Sequence, residues 1–472
     1  MMGVMNQAFP MHIFRAYDIR GKVSVLNPNV ITSIAHALAQ QYLAAGQTRV
    51  AIGYDARLSS PDYAHTIHNV FQSYALDATI IGCCSSPMLY FIAKAFDGNG
   101  VMVTASHNPK DDNGVKWIIQ DLPPCPEMIQ QVGLNAIQYN PKTCIHNRDS
   151  HQYHNDYAAL YEQALCDDIQ LKQPFHVVID GLHGSAGYIA ARILKKSGCT
   201  VDELRCSPNG EFPDHAPDPS VDAHLQLLSR TVVEKQADLG IALDGDGDRL
   251  VMVDGKGRII RADQLLCLFA EMCLSDQPNH EFVFDVKCST LVRNTVRHLG
   301  GTPVMIRTGS SFLRTYLSQS NHHAIFGGEY AGHYVFNDQR GGGYDDGLYA
   351  ALRIMEYLSS IEKNLEQVLS VYPNRFGTED LYISTHHTLP NELLAWVKSQ
   401  SQHLNAQISE IDGIRLDFDD GFGIIRASNT GEYFTLRFDA DSAERLNEIR
   451  HVFVSMLQDQ YPLIARDILD AQ

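Results

Sequence analysis

At 472 residues the chain is too long for one ordinary core and suggests roughly three or four domains. Its composition, 44% hydrophobic and 19% charged, is that of a globular protein, and no run of about 18 apolar residues is present to span a membrane. A net charge of -18 argues against a nucleic-acid-binding surface, so any phosphate site must be built from particular Arg and Lys residues set against the overall field. The first residues lack the basic and apolar segments of an export signal, and the ten cysteines form no C-x-x-C pair. Both features point to a reducing compartment, with the cytoplasm as the default.

Along the chain, short β-branched runs alternate with longer amphipathic stretches, which predicts an α/β fold. Strands are expected at 48–54, 78–82 and 100–105, with helices between them, and a polar stretch at 138–150 marks a boundary. A second unit follows with strands at 176–180 and 239–243. After the Asp254-Gly-Lys-Gly turn come strands at 281–286 and 324–326, then a helix at 346–359, with a further boundary at Tyr372-Pro373. Strands at 408–417, 422–426 and 433–438, and a helix from Ser442, give the last hundred residues an α+β character. The expected domains are 1–150, 151–254, 255–370 and 371–472. Repetition among the first three is suggested by the element pattern alone.

The most informative segment is Asp244-Gly-Asp-Gly-Asp-Arg249, which follows an apolar run. Three carboxylates on a glycine-relieved turn can converge on one hard cation and leave the arginine for an anion. A plain hairpin connection is the competing reading. A calcium loop fails on spacing, because Arg249 and Gly255 stand where glycine and glutamate are required.

Thr104-Ala-Ser-His-Asn-Pro109 places Ser106 at a strand tip, with Lys110 and Lys116 nearby. Alone it reads equally as a Ser/Asn/Pro loop. Beside a metal loop it can supply a phosphorylated oxygen. Phe14-Arg-Ala-Tyr-Asp-Ile-Arg-Gly21 offers Tyr17 and Arg20, and Gly327-Gly-Glu-Tyr-Ala-Gly-His333 offers Glu329 and a candidate base, His333. Arg426-Ala-Ser-Asn-Thr430, with Arg437 on the next strand, has the donors that suit a phosphate monoester. Ser106, Asp244, Lys287 and Glu329 all fall at or just beyond the carboxyl ends of predicted strands, where open α/β sheets bind ligands. Asp180-Gly-Leu-His-Gly-Ser-Ala-Gly187 lacks dinucleotide-loop spacing and is expected to be a strand-to-helix turn. No histidine spacing supports zinc.

Taken in order, FRAYDIRG, TASHNP, DGDGDR, GEYAGH and DGIRLDF...GFGIIRASNT...LRFDA span Phe14 to Ala440. In this the chain resembles the α-D-phosphohexomutases, in particular the bacterial phosphomannomutase/phosphoglucomutase branch. The resemblance implies three α/β/α domains with mixed sheets around a central cleft and a smaller C-terminal α+β domain that closes as a lid about residues 371–375. It implies that Ser106 carries a phosphoryl group and that Mg²⁺ is held by Asp244, Asp246, Asp248 and that phosphoserine. A hexose 1,6-bisphosphate then forms and turns over without leaving. By resemblance, Arg249, Lys116, Arg20 and His333 serve the reaction. Lys287 and Arg307 line the substrate region, and Glu329 reads sugar hydroxyls. Arg426, Ser428, Asn429, Thr430 and Arg437 grip the distant phosphate, and Tyr17 helps closure. The implied partners are small hexose phosphates, with no nucleic acid and no membrane, and the chain is expected to be a monomer or weak dimer.

Three positions depart from the resemblance. Ser310 replaces a histidine after Arg307-Thr-Gly, Ala331 replaces a serine after Glu329, and Gly431-Glu432 follows Thr430 in place of a Thr/Glu-Pro pair. These put rate and sugar preference in question. They leave open a phosphoglucosamine mutase, a phosphatase sharing the acidic loop, and a weakly active or inactive sugar-phosphate-binding relative.

Overall fold

The computed structural model describes residues 9–139, 157–275, 277–428 and 431–471. From residue 140 on, the boundary expected at 138–150 lies outside them, as do Asn429 and Thr430. The chain divides into two compact units, Met1–Ile260 with Ala331–Leu365, and Arg261–Tyr330 with Glu366–Gln472. No helix among the described residues is long and apolar enough to cross a membrane.

The first unit holds two five-stranded mixed sheets of the same plan. One contains β1 (Ile19–Lys22), β2 (Arg49–Tyr54), β3 (Asp77–Cys83), β4 (Gly100–Val103) and β5 (Asp112–Ile118), in the order β1-β5-β4-β2-β3. The other contains β6 (His176–Asp180), β7 (Thr200–Leu204), β8 (Leu239–Leu243), β9 (Leu250–Asp254) and β10 (Ile259–Ile260), in the order β10-β9-β8-β6-β7. In each, a central strand pairs parallel with one neighbour and antiparallel with the next: β4 with β2 and β5, β8 with β6 and β9. The element-level repetition is therefore real, and it gives the serine loop and the acidic loop the same topological place. One joins β4 to β5, and the other joins β8 to β9.

β4 and β8 expose no residue, which accounts for their unbroken apolar runs. A strand covered on both faces has no solvent side to alternate with. Helices around them begin on recognisable caps. The Asn27 side chain accepts from the N–H groups of Asn29 and Val30 ahead of Pro28–Ala44, and Asp346 accepts from Tyr349 N–H at the start of Gly347–Ile361. Residues 331–365 belong with this unit because they pack on the acidic loop. Leu250 N–H donates to Gly332 O, and Gly347 N–H donates to Gly247 O.

The second unit begins with a parallel layer of β11 (Glu281–Asp285), β12 (Thr302–Ile306) and β13 (Ala324–Gly328). β14 (Tyr334–Phe336) falls in the first unit's share of the chain. The C-terminal sheet is antiparallel: β15 (Phe376–Gly377), β17 (Gln407–Ser409), β18 (Ile414–Asp417), β19 (Gly421–Ala427) and β20 (Tyr433–Ala440), with β16 (Leu381–Ser384) also on β20. The strand expected at 408–417 is instead the hairpin β17–β18. It breaks at Gly413, whose φ of 85° suits glycine and opposes most other residues.

This sheet is fastened to the β11–β13 layer by buried polar contacts. Ser289 Oγ donates to Asp439 Oδ1 at 2.6 Å, and Arg415 donates to the carbonyls of Val286 and Cys288. Tyr372 Oη donates to Glu271 Oε2 at 2.8 Å, and Arg375 pairs with Asp439. A hinge confined to residues 371–375 would have to break the Ser289 and Arg415 contacts.

Candidate active site

Ser106 follows β4 with only Thr104 and Ala105 between, and its φ of 51° is rare for a residue with a side chain. It is 2% exposed, and its Oγ donates to Asp244 Oδ2 at 2.5 Å. Asp244, Asp246 and Asp248 are all buried and close enough to share one ion. The metal loop is laid directly on the serine loop. A Cβ on Gly245 would stand 2.4 Å from Ser106 O, and one on Gly184 would stand 2.7 Å from Gly245 O. The 180–187 turn is thus the cradle of the acidic loop, and Ser185 N–H donates to Gly245 O.

Cations balance only part of this charge. Lys116, on β5, donates to Asp246 Oδ2 at 2.9 Å and to Asp248 Oδ2 at 2.8 Å. Burial opposes its charge, but Asp246 and Asp248 outweigh burial and hold the ammonium well above its ordinary pKa. Ser86 Oγ donates to Asp246 Oδ2 at 2.5 Å. Asp246 Oδ1 and Asp248 Oδ1 are buried and accept no hydrogen bond from any described residue. Burial, then repulsion from Asp248 and Asp246, drives the Asp244 carboxyl well above the usual carboxylate range. Carboxylate oxygens crowded inside a protein must either take up a proton or hold a cation among them. All-oxygen donors suit a hard divalent ion, so the residues fit a metal site.

Arg249 closes the acidic loop. Its N–H donates to Asp244 Oδ1 at 3.2 Å, and its Nε donates to His333 Nε2 at 3.0 Å. His333 Nδ1 lies 2.8 Å from Asp345 Oδ2. These partners assign the ring as a neutral tautomer, Nδ1–H toward the carboxylate and Nε2 accepting. Arg20, on β1, donates to Asn108 Oδ1 at 2.8 Å and to Asp18 Oδ2 at 2.6 Å, which ties it to the serine loop. Tyr17 is half-buried beside it. His107 Nδ1 lies 3.2 Å from Ser106 Oγ. Burial and nearby cations, Arg249 first, hold its pKa well below the ordinary value.

The second unit carries the remaining candidates. Glu329 is 2% exposed and accepts from Gly309 N–H at 2.6 Å, so the loop after β13 is joined to the Arg307–Ser310 loop. Arg307 itself is exposed and lies over the Phe312 ring at 4.4 Å. Lys287 donates to Asp380 Oδ2 at 2.7 Å. Arg426 lies 3.0 Å from Asp412 Oδ2, an oxygen that also accepts from Thr308 N–H at 3.2 Å. Ser428 Oγ accepts from Gly431 N–H at 3.1 Å.

Arg437 departs from the expected phosphate grip. Its guanidinium lies 3.6 Å over the Tyr330 ring, donates to Asp263 Oδ2 at 2.7 Å and also to Lys287 O. In mid-strand on β20 and 3% exposed, it is committed to the fold.

Four family models match this chain in order. They are the phosphoglucomutase/phosphomannomutase α/β/α domain I at residues 11–136, domain II at 153–257, domain III at 261–376 and the C-terminal domain at 389–456. The chain belongs to the phosphoglucomutase/phosphomannomutase family. It is accordingly an enzyme of the phosphohexomutase class, whose substrates are sugar phosphates. It is 36% identical over 451 residues to a phosphomannomutase/phosphoglucomutase of Pseudomonas aeruginosa, covering 95% of this chain and 96% of that one. It is 36% identical over 459 residues to a phosphoglucomutase of Neisseria gonorrhoeae, covering 96% and 98%. A crystal structure of a family protein from Burkholderia thailandensis superposes with a TM-score of 0.86 at 33% identity, covering 95% and 97%.

Within this family frame, three residues escaped the sequence reading: Ser86, Asp345 and His107. His107 sits inside TASHNP and could have been noted as the neighbour of the serine. Asp345, in a glycine-rich run, and Ser86, in a Ser-Ser-Pro helix start, carry no local sign of their distant partners. The departures also acquire a place. Ser310 opens the helix Ser310–Gln319 immediately after the glycine that holds Glu329, and Ala331 lies two residues beyond that glutamate in the chain.

Proposed function

We propose that this phosphohexomutase interconverts the 1- and 6-phosphates of mannose or glucose through phosphorylated Ser106 and a bound hexose 1,6-bisphosphate, with Mg²⁺ as its metal ion. The observation that carries this reading is the contact of Ser106 Oγ with Asp244, inside a buried triad that still has two unclaimed carboxylate oxygens. Asp244, Asp246, Asp248 and the phosphoserine would hold the ion, which would neutralise charge on the transferring phosphoryl group.

Transfer breaks the Oγ–P bond of Ser106 as an O–P bond forms to the substrate's free 1- or 6-hydroxyl. Ser106 Oγ leaves as a hydroxyl, so the proton lost by the substrate hydroxyl is balanced by the one that Ser106 takes up, and the second transfer, after the bisphosphate turns round, reverses both and rephosphorylates Ser106. Arg20 and Arg249 supply positive charge to a transition state in which positioning and neutralisation carry most of the catalysis. Lys116, held charged between two carboxylates, is the acid that gives a proton to the departing Ser106 oxygen and recovers it in the second transfer. His333 fixes Arg249, and Asp345 fixes His333. Glu329 accepts sugar hydroxyls, with Lys287 and Arg307 beside the substrate. Arg426, Ser428, Asn429 and Thr430 take the non-reacting phosphate, which displaces Asp412 from Arg426. Tyr17 contributes next to Arg20.

The test is isomerisation of mannose, glucose and glucosamine 1-phosphates with magnesium and a trace of the matching bisphosphate, for wild type and Ser106→Ala. Ser106→Ala should lower kcat by about 1,000-fold or more. Full activity in that variant rejects the nucleophile. Activity on glucosamine phosphate alone would move the chain to the phosphoglucosamine branch, and net phosphate release without isomerisation would make it a phosphatase.

A further inference from the structure

Arg57 is 1% exposed and lies outside every motif that first suggested phosphoryl chemistry. It stands just past the carboxyl end of β2, where its Nε donates to Asp55 Oδ2 at 3.1 Å and its own N–H donates to Asp55 Oδ1 at 3.0 Å. One carboxylate neutralises it, and its remaining donors all turn to the serine loop. Nη1 donates to the carbonyls of Pro109 and Asp112 at 2.7 and 2.9 Å. Nη2 donates to those of Ser106 and Asn108, both at 2.7 Å. A planar, permanently charged fork can satisfy four converging carbonyls in this way, and an ammonium with three donors cannot.

The same pair reaches the nucleophile by a second route. Asp55 Oδ2 accepts from Thr104 Oγ1 at 2.7 Å, and Thr104 Oγ1 accepts from Ser106 N–H at 2.8 Å. Ser106 is therefore held through both its amide and its carbonyl while it keeps a left-handed backbone, a conformation that persists where the surroundings fix it. Because the peptide is trans, turning Ser106 O toward Arg57 turns His107 N–H to the opposite side. The loop that precedes the acidic segment backs this arrangement. The Phe212 ring lies 5.3 Å from Arg57 Cζ, and Gly210 packs so closely that a Cβ would stand 2.4 Å from Ala56 O.

We propose that Arg57 is a positioning residue for phosphoryl transfer: its fork holds the 106–112 loop in the strained form that aims Ser106 Oγ at Asp244. The role rests on the reading of Ser106 as phosphoryl carrier, and it concerns transfer rather than sugar binding.

The test uses the full-length enzyme with Arg57→Lys, which keeps the charge and loses the fork, and Thr104→Val, which removes the second route without changing volume. Each is measured for kcat, KM, melting temperature and the single-turnover rate of Ser106 phosphorylation by glucose 1,6-bisphosphate, followed by intact mass. Arg57→Lys should lower kcat and the phosphorylation rate together, on the order of 100-fold, and Thr104→Val about 10-fold, with KM for hexose phosphate within about twofold. A folded Arg57→Lys enzyme with wild-type rates overturns the proposal, as does a rise in KM that matches the fall in kcat. If Arg57→Lys does not fold, Thr104→Val decides, and unchanged rates there overturn it. Full activity in Ser106→Ala would instead remove the phosphoserine reading, and with it this role for Arg57.

Discussion

In the first unit, the loops after β4 and β8 bring three buried carboxylates and a serine hydroxyl together, and two carboxylate oxygens accept from no described residue. In the second unit, each buried cation among the candidates already has an acid: Lys287 has Asp380, Arg426 has Asp412 and Arg437 has Asp263. The first region is short of positive charge and is built to take a cation. The second is internally balanced, so an anion bound there would have to exchange partners with these acids. That difference separates the two regions more sharply than residue type does, because both are rich in the same Asp, Arg and Lys.

The comparison breaks most visibly at Asp246. Asp246→Asn should weaken divalent-ion binding by about 100-fold in calorimetric titration and lower kcat by about 1,000-fold. Unchanged ion affinity would mean that the open oxygens are not a metal site. Next come the two arginines of the C-terminal sheet. Arg437→Ala leaves Asp263 buried without its partner and should cost about 3–5 kcal/mol of stability in denaturant unfolding. Arg426→Ala should instead raise KM for hexose phosphate about 10- to 100-fold with little change in melting temperature. If the two variants trade these effects, the assignment of one to the fold and the other to phosphate is reversed.

Asp346 sharpens the comparison from the side of stability, since it is an acid of the first unit that takes no part in the triad. Burial raises its carboxyl to about 6 despite the Tyr161 hydroxyl and the Tyr349 N–H that it accepts. The folded state therefore holds this proton more tightly than the unfolded chain. Its favourable contribution is fully present below about pH 4 and is lost as pH rises through about 6. Asp346→Asn, which still caps the helix, should remove that decline and gain on the order of 2 kcal/mol at neutral pH. Denaturant unfolding at pH 4.5 and 7.5 measures it, and equal pH slopes in both proteins would reject the assignment.

Much of the site was legible because its chemistry is packed into short covalent stretches. Asp244, Asp246 and Asp248 alternate on one turn, and Ser106 lies two residues beyond its strand, so chain geometry alone brings them near a sheet edge. Fold class was legible for a similar reason, as the fully apolar β4 and β8 advertise buried parallel strands. The hairpin break at Gly413 was missed although Asp412-Gly413 is a turn pair, because the β-branched residues on both sides were read as one run. β5, which carries Lys116, was missed because Asp112-Asn-Gly reads as a turn.

The sequence by itself determined which carboxylates can meet and their order along the chain, because local spacing fixes which side chains can converge on one ion. Only the tertiary structure decided which charges are already spent. Arg426 and Arg437 look alike on adjacent strands, yet one pairs with Asp412 and the other is sealed under Tyr330. Arg57, Ser86 and Asp345 became visible only through partners far away in sequence, at Ser106, Asp246 and His333. Some buried charges pair locally, as Arg57 does with Asp55, but the contacts that decide what each of these groups serves lie far off in the chain. Burial then makes each pairing obligatory, because an ion removed from water must find its counter-charge within the fold.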